Sequence, residues 1–160
     1  MLEGETLLRA VAVGIGGTVV LDLWAILLEK TAGIAATNWA MVGRWAGHLP
    51  QGRFIHPSIA AATPVPGEGA IGWAVHYFTG IVYGVLLIGL CGETWLNAPT
   101  LAPPVLLAIV LLVAPFFILQ PGMGLGVAAC KTPKPWAARL KSLMAHTAFG
   151  IGMYLTAWLV

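Results

Sequence analysis

Four stretches of this chain are apolar enough, over enough residues, to be read as membrane-crossing segments. They cover about 7–28, 70–90, 100–119 and 143–160. A crossing needs about 20 mostly apolar residues, and helices are the economical answer because each satisfies its own backbone in lipid. The expected fold is therefore all-α: one domain over 1–160, with four transmembrane helices in a bundle. Pro103 and Pro104 fall in the first turn of the third stretch, where proline is tolerated. Pro115 is expected to kink that helix near its far end. The fourth stretch is the shortest. Apolar residues make up 59% of the chain and charged residues 9%, where a soluble domain carries about 25% charged. A soluble protein this small could not hide so much apolar surface in one core.

The connections are unequal. A short link, 91–99, makes the second and third helices antiparallel neighbours. A long link joins the first two, and in it Asn38 is placed to cap a short helix running to Leu49. Trp39, Val42, Trp45 and Leu49 share one side of that helix, as expected of an interfacial helix with tryptophan at headgroup level. Residues 50–69 are rich in proline and glycine and read as loop. Lys30, Arg44 and Arg53 lie in the first long loop, and Lys131, Lys134, Arg139 and Lys141 in the last. By the positive-inside rule both long loops are cytoplasmic and both termini outside. The acidic start, Met1-Leu2-Glu3-Gly4-Glu5, fits a retained span better than a cleaved signal. A net charge of +2 gives no reason to expect nucleic acid. Cys91 and Cys130 form no Cys-x-x-Cys pair and read as inert thiols.

Ionisable residues inside spans carry the functional signal, because each costs about 2.5–3.5 kcal/mol to place at the bilayer centre. This chain has Asp22, His76 and His146. Counted from the cytoplasmic ends of their helices, they lie at comparable depths of roughly 7–12 Å. Their faces agree as well. Gly14, Thr18 and Asp22 recur every four residues, as do Gly72, His76, Gly80 and Gly84, and then Ser142, His146, Gly150 and Tyr154. Such spacing keeps residues on one stripe, and small residues on it let helices approach. The three ionisable groups are expected to converge, with Gln120 completing a polar layer. His76-x-x-x-Gly80-Ile81 and His146-x-x-x-Gly150-Ile151 also match, as a doubled helical hairpin would give.

Several chemistries fit such a layer. One carboxylate and two imidazoles suit a transition metal, with Glu68 or His56 as further ligands. His76 and His146 would suit a haem, with Gly80 and Gly150 leaving room for it. Proton transfer, or capture of a small polar molecule, is a third reading. The plainest is an Asp–His pairing that only locks the bundle. No His-Glu-x-x-His run or nucleophile elbow is present. The Gly122-Met123-Gly124-Leu125-Gly126 run follows a membrane helix instead of a strand, so it reads as a turn rather than a phosphate loop. Arg44, Lys131, Lys134, Arg139 and Lys141 are expected to contact anionic lipid or another anion.

The chain also resembles the bacterial inner-membrane family catalogued as domain of unknown function 2938. The resemblance rests on Thr18 with Leu21-Asp22-Leu23-Trp24, Asn38-Trp39, Val42-Gly43-Arg44-Trp45, Glu68, Gly72-Trp73 and His76-Tyr77. It continues through Gln120-Pro121-Gly122-Met123-Gly124-Leu125-Gly126, Thr132-Pro133, Pro135, Arg139, and Ser142 through His146 to Phe149-Gly150. It implies a small multi-pass protein of the bacterial cytoplasmic membrane and brings no activity with it. Three functions stay open: a metal, solute or proton site facing the cytoplasm; a haem- or metal-binding redox protein or oxidoreductase subunit; and a non-catalytic accessory protein. Four spans are few for a transporter, which leaves a homodimer or larger membrane complex open.

Overall fold

The computed structural model describes residues 4–160. Met1, Leu2 and Glu3, most of the expected acidic start, lie outside the described residues. Every regular element among the described residues is helical. Helix α1 spans Gly4–Ala32. Glu5 in its first turn and Lys30 in its last both complement the helix dipole. Gly33, at φ +65°, ends it. The Gly33 N–H bonds Glu29 O at 3.2 Å, the bond of an αL cap, and the Ile34 N–H reaches Leu28 O at 3.3 Å. Helix α2, Trp39–His48, is capped by Asn38, whose side chain accepts from Ala40 N at 3.1 Å. Next come α3, Glu68–Cys91, and α4, Glu93–Asn97. Helix α5, Ala102–Val110, is followed by a π-helical segment, Pro115–Leu119, and a short end, α6, Gln120–Gly122. Helix α7 is Pro135–Ala157.

Among the described residues, three helical segments are long and apolar enough to cross a membrane: Gly4–Ala32, Glu68–Cys91 and Ala102–Gly122. Large apolar side chains stay exposed along them, such as Leu8 at 72%, Leu90 at 68% and Leu106 at 64%. That surface suits lipid and not water. The fourth expected span falls in α7, which begins earlier and ends at Ala157. From Leu143 onward it offers only roughly 22 Å of helix against about 30 Å of hydrocarbon. A longer crossing would have to include Arg139 and Lys141.

The chain divides into two compact units. The first comprises the stretch through Ala36, with Tyr77–Val110 and Met144–Val160. Its buried core includes Val13, Leu87, Ile88, Phe149 and Met153. Helices α1 and α3 touch backbone to backbone. A Cβ on Gly84 would lie 2.6 Å from Gly14 N, and one on Gly14 would lie 2.8 Å from Ile81 Cα. Helix α7 meets α5 the same way, a Cβ on Gly150 falling 2.8 Å from Val105 Cα. Arg9 fastens the ends of this unit, donating to Val160 O at 2.9 Å and to Leu96 O at 3.1 Å.

The second unit comprises Thr37–His76 and Leu111–Leu143. Here α2 packs on the start of α3, where a Cβ on Gly43 would lie 2.6 Å from Gly72 N. The buried residues of α2 are Val42, Gly43, Arg44 and His48. Of the side expected to meet the membrane, Val42 is buried and Trp39, Trp45 and Leu49 are half-buried. Pro115 acts through its missing N–H. Ala114 N takes up Leu111 O at 3.1 Å, and Gln120 N reaches Pro115 O, five residues back. The expected kink site is a π turn.

The α1–α3 contact makes a direct prediction. In Gly84→Leu, new atoms meet backbone that cannot swing aside, so stability in detergent should fall by about 1–3 kcal/mol, read as a lower apparent Tm. Gly89→Leu, where an added Cβ meets nothing within 4 Å, should leave Tm unchanged or raise it.

Candidate functional site

Asp22 lies within α1, roughly 15 Å of helix before its Ala32 end. It is half-buried. The Tyr77 hydroxyl donates to its Oδ2 at 3.1 Å. The sequence names Tyr77 only within the family resemblance and gives it no part in the polar layer: a neighbouring helical residue points about 100° away from the stripe, so periodicity passes over it. His146 is half-buried on α7 in the same unit as Asp22.

His76 belongs to the second unit and is buried. Its ring stacks on Trp39 with centroids 3.8 Å apart and planes at 21°. Trp73 meets it edge-on at 5.7 Å and 61°. The structure therefore brings Asp22 to Tyr77 and sets His76 among indole rings. Among the described residues, no group of three or more His, Cys, Asp or Glu side chains is placed to hold a metal ion.

Glu68, expected as a ligand or orienting group, forms a two-point ion pair with Arg44. Arg44 Nε donates to Oε2 and Nη2 to Oε1, each at 2.8 Å. Arg44 Nη1 also lies 3.3, 3.2 and 3.2 Å from the carbonyls of Ile59, Ala60 and Ala62. Glu68 accepts from Val65 N at 3.0 Å as well. Arg44, expected on anionic lipid, is buried and engaged internally, because a planar guanidinium can organise a carboxylate and a loop at once. Its hydrogen bonds to the Glu68 carboxylate raise the Arg44 guanidinium pKa above its ordinary value, against the opposing pull of burial.

His56, also expected as a ligand, forms a buried chain with His48. His48 Nδ1 lies 2.9 Å from His56 Nε2, and His56 Nδ1 lies 3.2 Å from Gly122 O. A carbonyl only accepts, so His56 carries its hydrogen on Nδ1. In the neutral ring its Nε2 is then the acceptor, and His48 donates from Nδ1. Two backbone bonds run alongside, His56 N to Gly122 O at 2.9 Å and Ile59 N to Met123 O at 3.0 Å. No spacing rule pointed to His48, whose partner is fixed by a loop.

Gln120 Nε2 donates weakly to Ser142 Oγ at 3.5 Å, and Ser142 Oγ donates to Ala138 O at 3.1 Å. Oε1 of Gln120 is buried without a partner, as is Nε1 of Trp24. Beyond Gln120 the glycine run turns sharply and ends in two strained residues, Ala128 and Ala129, at φ 47° and 58°. A left-handed alanine costs about 1–2 kcal/mol. Arg139 steadies the pair, Nε donating to Ala128 O at 2.8 Å, and Thr132 Oγ1 bonds Ala129 O at 2.8 Å. Of the expected anion contacts, Lys131 and Lys134 are exposed, while Arg139 and Lys141 are half-buried.

A family model described as a protein of unknown function, DUF2938, matches residues 11–160. No curated protein matches, and no solved structure does.

The geometry predicts two stability effects. Arg44→Lys should lower the apparent Tm nearly as much as Arg44→Ala, since an ammonium cannot replace a fork that serves a carboxylate and three carbonyls. His48→Ala and His56→Ala should each cost about 1–3 kcal/mol by leaving a buried partner unmatched. The double variant should cost less than the sum, because both act on one chain.

Proposed function

The chain belongs to the DUF2938 family, and we propose that it is an integral protein of the bacterial cytoplasmic membrane whose Asp22 carboxylate binds a proton or a small cationic solute. The observation that carries this reading is a carboxylate deep in an apolar helix, met by the Tyr77 hydroxyl at 3.1 Å. An intramembrane carboxylate is costly unless it is used. Tyr77 satisfies one lone pair of the ionised form. The same hydroxyl can accept once the carboxyl is protonated, so both states have a partner. His146, on α7 in the same unit as Asp22, is the proposed companion, since imidazoles readily take and release protons. The metal-ion reading has no group of three or more His, Cys, Asp or Glu side chains behind it among the described residues.

This reading uses four crossings, with 37–69 and 120–142 cytoplasmic and both termini outside. The basic residues of those loops support that orientation. Labelling in right-side-out vesicles checks it. With Cys91 and Cys130 replaced by serine, an impermeant maleimide should miss Ser58→Cys and Lys134→Cys and label Leu159→Cys. If Lys134→Cys and Leu159→Cys label alike, α7 does not cross.

Function is tested in liposomes. Wild-type protein should dissipate an imposed pH or cation gradient faster than empty vesicles. Asp22→Asn should abolish that excess, and Tyr77→Phe should reduce it several-fold. Equal flux from Asp22→Asn and wild type sinks the reading. A stoichiometric metal, or a Soret band lost in His76→Ala and His146→Ala, would put a metal or haem function in its place.

A further inference from the structure

The second unit carries most of the chain's positive charge. Its segments hold six cations, Arg44, Arg53, Lys131, Lys134, Arg139 and Lys141, against one carboxylate, Glu68. That carboxylate is consumed by Arg44. Lys131 and Lys134 are exposed.

The same unit exposes large apolar side chains: Ile55 at 76%, Phe54 at 61% and Val127 at 48% in its connections, and Trp136 at 74% in the first turn of α7. Ile55 and Val127 face a groove whose walls also include Pro57, Pro121, Gly124 and Lys131. His56 lines it too, but both its ring nitrogens are engaged, by His48 and by Gly122 O. Among the described residues, Lys131 is therefore the charged side chain of a mostly apolar groove, with no carboxylate in its lining.

The groove is a fixed shape. Its two walls are held together by the bonds of His56 N to Gly122 O and of Ile59 N to Met123 O. A Cβ on Gly124 would lie 2.6 Å from His56 O, so the walls meet at backbone distance. Arg139 holds the strained Ala128–Ala129 turn that carries Val127 and leads into Lys131.

Its depth follows from the chain itself. Pro121 lines the groove and also belongs to the apolar segment Ala102–Gly122. A groove that begins in the last turn of a crossing helix opens where hydrocarbon gives way to headgroups. An apolar trough with a cation at its rim matches an anionic phospholipid there, with the phosphodiester on Lys131 and an acyl chain along Ile55, Pro57 and Val127.

We propose that this groove is a binding site for one anionic phospholipid, seated between the 54–59 loop and the 121–131 loop with its phosphate on Lys131. The proposal rests on the membrane assignment above, but not on the Asp22 chemistry.

Native mass spectrometry of protein released from nanodiscs of phosphatidylcholine and phosphatidylglycerol tests it. Wild type should retain one phosphatidylglycerol per chain in preference to phosphatidylcholine. Lys131→Gln should lower that occupancy about fivefold, the worth of one lysine near a charged surface. Val127→Ser should lower it too, while Lys134→Gln, outside the groove, should not. Equal retention by Lys131→Gln and wild type overturns the site. An equal loss from Lys134→Gln overturns it in favour of diffuse surface charge. Calorimetry with inorganic phosphate separates the sources: phosphate binding that depends on Lys131, without lipid retention, would make this a free-anion site and overturn the lipid. Gradient dissipation by Lys131→Gln should equal wild type, so failure here and failure at Asp22 give different results.

Discussion

Lipid removes the usual reason for helices to associate, since hydrocarbon tails are as apolar as leucine. What remains is contact close enough for dispersion and backbone dipoles to count. Gly14, Ile81 and Gly84 provide it between α1 and α3, at separations where no side chain fits. Gly150 provides it between α7 and α5. The exposed leucines are then free to serve as the protein's interface with its solvent. The positions that fix helix geometry carry no side chain, and the bulky positions fix nothing except the environment.

In the second unit a different interaction has the same organising part. Arg44 joins a helix, a loop and the start of α3 through Glu68 and three carbonyls. Irregular backbone near a membrane needs partners for its polar groups. One guanidinium supplies several of them at once, and the His48–His56 chain supplies another through Gly122. Residues read from sequence as surface cation and metal ligand are thus the internal scaffold of a proline- and glycine-rich loop.

That contrast explains which parts were legible beforehand. The three long apolar helices were, because hydropathy is local. So was the α2 cap, since Asn38 bonds only two residues onward. The glycine stripes were legible because a spacing of four repeats within one helix. The roles of Arg44, Glu68, His48 and His56 were not, because their partners come from irregular segments whose course no periodicity encodes. The π turn was half legible: Pro115 marks where the helix must change, but not that Ala114 takes up the Leu111 carbonyl. Each matched His-x-x-x-Gly-Ile glycine packs on the opening helix of its own hairpin, Gly80 near α1 and Gly150 near α5. A duplicated hairpin would produce the same contacts.

Asp22 stands apart from this local economy. Arg44, Glu68, His48 and His56 sit where loops demand hydrogen-bond partners, and each has a structural reason to be there. Asp22 sits in a regular helix whose backbone needs nothing from it. The Tyr77 hydroxyl follows Asp22 rather than requiring it, since a tyrosine could direct its oxygen elsewhere or be phenylalanine. Removing both groups would leave an apolar α1–α3 contact at least as easy to insert, because a membrane helix gains nothing in insertion from a carboxylate. An ionisable group within a regular, apolar helix, met by the Tyr77 hydroxyl of the neighbouring helix, is the feature on which the proposed proton or cation chemistry rests.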